Sequence, residues 1–314
     1  EREDGRLIEG RSLVNATGPY VNRFIETEMK KFAALPLRLV RGSHIVVPRL
    51  YELERAFLLQ QDDGRVVFTI PYERHFTLIG TTEEPHETGL ETVSATESEI
   101  AYLMKAVAQY FRRDLKRSDV VWSFAGVRPL YDEGKTQAYK ANRDYKLDVE
   151  VVEEHADGLP VVHIYGGKIT TFRKLSAEVV DKLKVAFPEL GPCRTDVVPY
   201  TAFDEVDYKA WLKDFHERFV LLPLSMRQRW LHAYGRRVEW FLKGVRSKKD
   251  LGQDFGAGFF ERELRYLITH EWAHTAEDVL WRRTKLGLHL SESQREAVSS
   301  WMKERQQSQF DEAD

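Results

Sequence analysis

The chain has 314 residues, 42% hydrophobic and 31% charged, a composition that marks an ordinary globular protein with room for two domains. Its net charge of −3 gives no electrostatic case for nucleic acid, and its one cysteine, Cys193, excludes an intramolecular disulfide. No apolar run reaches the roughly 18 residues that a membrane-spanning helix needs.

The first stretch, EREDGRLIEGRSLVNATG, opens inside a hairpin whose turn is Asp4-Gly5. No initiator methionine precedes it, and the expectation is a chain lacking its N-terminal part. Ser12 to Ala16 reads as a short buried strand. ATGPY then turns into a helix, with Pro19 at an early helical position where its missing N–H costs nothing.

Residues 37–90 read as strands. RLVRG, SHIVVP, AFLLQ, RVVFTIP and HFTLIGTT are short, β-branched or aromatic, and separated by turn residues. Spacing this tight predicts an antiparallel sheet. Thr96 to Phe111 reads as a helix, since Thr96 and Glu99 fit a capping box and Ile100, Leu103, Met104 and Val107 form an apolar stripe. VVWSFAGVRPLY, YKLDVEVV and LPVVHIYG are further strands. Lys168 to Phe187 reads as a helix stopped by Pro188. Beyond residue 200 amphipathic helices dominate, including Phe259 to Thr269, Ala276 to Leu286 and Ser291 to Gln306. They predict a separate all-helical domain.

Four motifs carry possible chemistry. YGGKITTFRKL puts Gly166, Gly167 and Lys168 between a strand and a helix. It fails as a phosphate loop, because Val162 stands where the first glycine belongs and Ile169 follows the lysine in place of a hydroxyl residue. A tight glycine turn into a helix start still favours negative charge. Arg128 and Arg143, with Lys168, lie at strand positions around that turn and are candidates to converge on a phosphate or carboxylate. His44 sits inside a strand and is a candidate general base. His270, Glu271 and His274 match the zinc-hydrolase pattern H-E-x-x-H, but Thr275 and Asp278 predict a new helix start that interrupts the one the motif needs. The competing reading of each motif is structural: a plain turn, solvated charges, a bonded histidine, packing residues. No G-x-G-x-x-G occurs anywhere in the chain.

Taken in order, LVNATGPYVNRF, RLVRGSHIVVPRL, VVFTIPYE, LIGTTEE, VWSFAGVRPLYD, NRDYKLDVE, YGGKITTFRKL, DLGQDFGAGFFERELRYLITHEW and LWRRTKLG cover nearly the whole chain. As a set they resemble the FAD-dependent glycerol-3-phosphate dehydrogenase family, in its bacterial aerobic, quinone-linked form.

The resemblance implies an α+β fold. Residues 1–36 and 165–187 would be the remnant of an FAD-binding α/β domain, residues 37–164 an antiparallel or mixed substrate-binding sheet, and residues 200–314 a C-terminal helical domain. It implies that the N-terminal Rossmann segment and its glycine fingerprint are missing, so that this chain by itself should bind FAD poorly or not at all and be inactive. Ala16, Thr17, Gly18, Gly167, Lys168, Ile169 and Thr170 are the implied cofactor contacts. Arg128, Arg143 and Lys168 are the implied contacts to sn-glycerol 3-phosphate, and His44, Arg128 and Lys168 the implied catalytic groups. In that reading C2 loses a hydride to the flavin and its hydroxyl proton goes to His44, giving dihydroxyacetone phosphate. The implied partners are ubiquinone, the inner face of the bacterial cytoplasmic membrane, held peripherally, and a second copy in a homodimer. Two other readings stand beside it: a zinc hydrolase built on HEWAH, and a non-catalytic docking module in residues 200–314.

Overall fold

The protein is described by a computed structural model over residues 8–29, 33–132, 144–152, 158–198 and 208–311, with side chains through residue 305. The chain divides into two compact units, Glu1–Thr195 and Asp196–Asp314.

The first unit is built on β2, Leu37–Pro48. Further strands are β3 (Phe57–Gln60), β4 (Val66–Tyr72), β5 (Phe76–Gly80), β6 (Glu84–Pro85) and β7 (Trp122–Tyr131). The sheet is antiparallel throughout, as the short spacings predict. β5 and β6 pair successively along one edge of β2, and β7 pairs along the other for ten residues, from Leu37↔Tyr131 to Val46↔Trp122. Alternation then sorts the side chains. Ile45, Val47, Leu59, Val67 and Ile79 pack on one face against Ile100, Leu103, Ala106 and Val107 of helix α2, Glu97–Ala108. Burying Ile100, Leu103 and Val107 contributes about 2 kcal/mol each. His44, Gly42, Phe124 and Arg128 fall on the opposite face. The capping box at Thr96 and Glu99 forms as its sequence pattern predicts.

β8 (Lys146–Val152) and β9 (Leu159–Tyr165) differ from expectation. The sequence places them with residues 37–164, but they join β1 (Leu13–Asn15) in a separate three-stranded mixed sheet of order β1-β9-β8. β9 is parallel to β1 and antiparallel to β8. Each face of β9 buries against a helix, which explains its near-continuous apolar run. Val162 meets Val179 and Leu183 of α3, Phe172–Leu183; Tyr165 meets Val21, of α1 (Val21–Phe24), and Ile25. Pro19 opens a 3-10 turn, Gly18–Tyr20, just ahead of α1. The helix read from Lys168 starts later. Lys168 is extended, Ile169–Thr171 form a 3-10 turn, and α3 follows.

The second unit holds α4 (Tyr208–Arg218), α5 (Leu224–Tyr234), α6 (Val238–Leu242), α7 (Glu261–His270) and α8 (Glu292–Asp311) around Phe215, Trp230, Phe259 and Leu264. It is not all-helical, which corrects the sequence reading. Asp254–Gly256 (β10) and Phe259–Phe260 (β11) form a hairpin, and the Phe259 expected to begin a helix begins a strand instead. The turn exists because Gly256, Ala257 and Gly258 all take positive φ, which two glycines make cheap. Residues 278–283 wind as a π-helix rather than an α-helix. Glu263 is buried among aromatic residues and fully satisfied there. Arg229 donates to both its oxygens at 2.7 and 2.6 Å, Trp230 Nε1 donates at 2.7 Å and Tyr234 Oη at 2.5 Å.

Candidate functional site

Two glycines inside strands make the site possible. A Cβ on Gly80 would lie 2.2 Å from His44 Cδ2, and one on Gly42 would lie 2.6 Å from Arg128 Nη2. The imidazole and the guanidinium therefore lie flat across neighbouring strands on one face of the sheet. His44 stacks on Phe124 with ring centroids 5.0 Å apart and planes 7° from parallel. Arg128 Nη2 donates to Thr81 Oγ1 at 3.0 Å, and its Nη1 lies 4.0 Å from Glu83 Oε1. Between them Gly42 pairs with Gly126, and a Cβ on Gly126 would meet no atom within 4 Å. The sheet is therefore open over Gly126, two residues or roughly 7 Å along β7 from Phe124 on one side and Arg128 on the other, while Arg128 covers Gly42.

The electrostatics suit proton transfer. Burial first and the Arg128 charge second push the His44 pKa below its usual value, so the ring is neutral at pH 7. Its Nδ1 is buried and has no hydrogen-bond partner among the described residues.

The second group of expected residues gathers at the ends of two parallel strands. Leu13↔Val161 through Asn15↔His163 set β1 beside β9, so the turns that follow them leave from the same end of the sheet. Asn15 shapes the first turn by accepting from the Thr17 hydroxyl at 2.7 Å and donating to Val21 O at 3.2 Å. Gly18 has φ +60° and open space where a Cβ would stand. Gly166 and Gly167 have φ of +72° and +102°. Gly166 is also pressed against backbone, since a Cβ there would stand 3.1 Å from Asp144 O and 3.3 Å from Pro129 O. That contact brings the Gly166–Gly167 turn to the strand end next to Arg128. Ile169 beyond it is 90% exposed. Ligands of open α/β sheets bind outside the carboxyl ends of strands such as β1 and β9. Positive-φ glycines there let a flat cofactor approach the backbone, so the residues present fit this part of a flavin site.

Of the expected site residues, His44 and Arg128 meet on one face, and Ala16–Gly18 shares an edge with Gly167–Thr170. Lys168 is half exposed, with Nζ 4.0 Å from Asp144 Oδ1. Arg143 lies outside the described residues. Sequence reasoning missed Thr81, Glu83 and Phe124. The strand glycines Gly42, Gly80 and Gly126 were the available signal, because glycine inside a strand marks close approach.

The zinc reading fails on geometry. α7 stops at His270, Trp272 turns the chain at φ +52°, and Asp278 Oδ2 accepts from the His274 and Thr275 amides at 3.1 and 2.9 Å. His270 and His274 are therefore not one turn apart on a single helix. No metal-holding cluster occurs among the described residues.

Residues 1–173 match the family described as FAD dependent oxidoreductase. The chain belongs to that family. Residues 133–308 match the C-terminal domain of alpha-glycerophosphate oxidase, which accounts for the second unit. Within the family the chain is 41% identical to a glycerol-3-phosphate dehydrogenase of Pseudomonas aeruginosa and 40% identical to the aerobic glycerol-3-phosphate dehydrogenase of Escherichia coli. The matches cover 96% and 94% of this chain but 59% of each relative. It is also 39% identical to a D-erythritol 1-phosphate dehydrogenase of Brucella abortus, across 94% of this chain and 59% of that protein. Among solved structures it resembles a glycerol-3-phosphate dehydrogenase of Bacillus halodurans complexed with FAD, with a TM-score of 0.76 at 25% identity, covering 95% of this chain and 58% of that one. The chain thus spans about three-fifths of the length of these relatives.

Proposed function

We propose that the protein carrying this chain oxidises sn-glycerol 3-phosphate to dihydroxyacetone phosphate and passes the electrons to a quinone. The observation that carries the reading is the open space over Gly126 on the face that holds neutral His44 and Arg128, with the Arg128 guanidinium laid over Gly42. Bound FAD supplies the acceptor for the hydride from C2. His44 takes the C2 hydroxyl proton. Arg128 holds the phosphate or the C2 oxygen and offsets developing negative charge, with Lys168 and Arg143 as further cations. Ala16, Thr17, Gly18, Gly167, Lys168, Ile169 and Thr170 would hold the flavin, and the Gly166–Gly167 turn at a helix start would favour negative charge on it.

The names of the relatives support the substrate class, a phosphorylated polyol, and the aerobic relative supports a quinone acceptor. No helix among the described residues is long and apolar enough to cross a membrane. Peripheral attachment to the inner face of the cytoplasmic membrane is part of the same proposal. A homodimer, and residues 200–314 as a domain of their own, belong to the same proposal.

The test is anaerobic titration of the FAD-loaded protein. Glycerol 3-phosphate is expected to bleach the flavin absorbance, with reoxidation by a soluble quinone. No bleaching would overturn the proposal. Bleaching by D-erythritol 1-phosphate alone would move it to a longer polyol phosphate.

A further inference from the structure

We propose that Glu99, on the face of the sheet opposite His44, is the positioning residue that holds Arg128 in place, acting through Thr82 and Thr81. This rests on the proposed role of Arg128 in binding the phosphorylated substrate.

The two carboxylate oxygens of Glu99 do different work. Oε2 caps helix α2, accepting from the Thr96 amide at 3.0 Å and the Thr96 hydroxyl at 2.9 Å, and it pairs with Arg41 at 3.0 Å. A capping glutamate needs only the bond to the Thr96 amide. Here the side chain is 3% exposed, and Oε1 accepts from Ser43 Oγ at 2.8 Å and Thr82 Oγ1 at 2.7 Å. Thr82 also ties to β2 directly. Its Oγ1 accepts from the Ser43 amide at 2.8 Å, and its own amide donates to Ser43 O at 3.3 Å.

Both bonded residues sit between members of the site. Ser43 lies between Gly42, which makes room for Arg128, and His44. Thr82 lies between Thr81 and Glu83, the two residues that orient the Arg128 guanidinium. The Thr81 hydroxyl donates to Thr82 O at 3.1 Å, which turns a lone pair toward Arg128. Residues 81–83 fall between β5 and β6, outside the strands of the sheet, so Thr82 and Glu99 fix from behind what the ladder does not. A buried carboxylate accepting four hydroxyl or amide donors is a rigid anchor. The sequence reading assigned Glu99 to the helix cap alone.

The experiment uses the FAD-loaded protein that carries this chain. Thr82→Val keeps the volume and removes the hydroxyl. It is expected to raise KM for glycerol 3-phosphate about tenfold with a much smaller change in kcat, and Thr82→Ser to restore it. Val107→Ala, in the α2 core and remote from the clamp, is expected to lower Tm and leave KM unchanged. A crystal structure of Thr82→Val is expected to show the Arg128–Thr81 hydrogen bond lost. If Thr82→Val does not fold, Glu99→Gln is read the same way. An unchanged KM, a KM raised equally by Val107→Ala, or an intact Arg128–Thr81 bond overturns the proposal. If the unaltered protein does not respond to glycerol 3-phosphate, the proposed function falls, and the crystal structure alone decides the clamp.

Discussion

The two faces of the β2 sheet carry the same backbone and opposite chemistry. One face is closed by α2 and buries Ile45, Val47, Leu59, Val67 and Ile79, with Glu99 as a satisfied charge among them. The other face leaves Leu58, Phe68 and Ile70 exposed and presents His44 and Arg128 beside the open space over Gly126. Neighbouring positions on one strand therefore serve different ends. Ser43 bonds Glu99, while His44 is the proposed base and Gly42 leaves room for Arg128. Substitution effects should alternate with the pleat, in activity on one face and in stability on the other.

The largest effect expected is on the open face. His44→Gln should slow flavin reduction by about 10²- to 10⁴-fold, the usual worth of a general base, with little change in Tm. Because the wild-type ring is held neutral, the acid limb of the pH–rate profile should lie below the ordinary histidine value. Stopped-flow reduction across pH measures both. An unchanged rate would remove His44 from the base role and erase the contrast between the faces.

The next effect belongs to the closed face. Burial by itself raises the Glu99 pKa, but the Thr96 amide and the Thr82, Ser43 and Thr96 hydroxyls outweigh it and hold the group down at about 2. The folded value is depressed, so its stabilisation is full above the unfolded value and is lost as pH falls from roughly 4.5 toward 2. The shift corresponds to about 3 kcal/mol. Urea unfolding of wild type and Glu99→Gln should converge over that window, and parallel curves would show that Glu99 is not the acid-sensitive group.

The smallest effect sharpens the comparison. Leu58 lies on the open face, 59% exposed. Leu58→Ser should change stability by less than about 0.5 kcal/mol. A loss of several times that, measured by the same unfolding experiment, would mean the face is covered in the protein and not open.

Much of the fold was legible because its signals are local. The Thr96–Glu99 box, Pro19 at the opening of a 3-10 turn and the β-branched run in SHIVVP each need only a few adjacent residues. Non-local pairing was not legible. Nothing in YKLDVEVV or LPVVHIYG says that these strands leave the larger sheet to join β1. The helix start expected at Phe259 misled for a related reason: Phe259 and Phe260 fit a helix face as well as a hairpin strand, and only the pairing with Asp254–Gly256 decided between them. The HEWAH motif was decided locally, since Asp278 takes the amides of His274 and Thr275.

The sequence alone determined the kinds of chemistry available: a strand histidine, arginines on strands, and a glycine pair ahead of a helix, in an order that resembles one family. It also determined that YGGKITTFRKL is not a phosphate loop. Only the tertiary structure decided which of these groups lie together. His44 and Arg128 are 84 positions apart in sequence and share a face because β2 and β7 pair in one register. The hydrogen bonds of Glu99 belong to the same class of fact. Its cap is written in four adjacent residues, but its hold on Ser43 and Thr82 comes from segments that meet only when α2 closes the sheet. Hydrogen bonds within one helical turn follow from neighbouring residues, whereas those across a sheet depend on which strands the chain brings side by side.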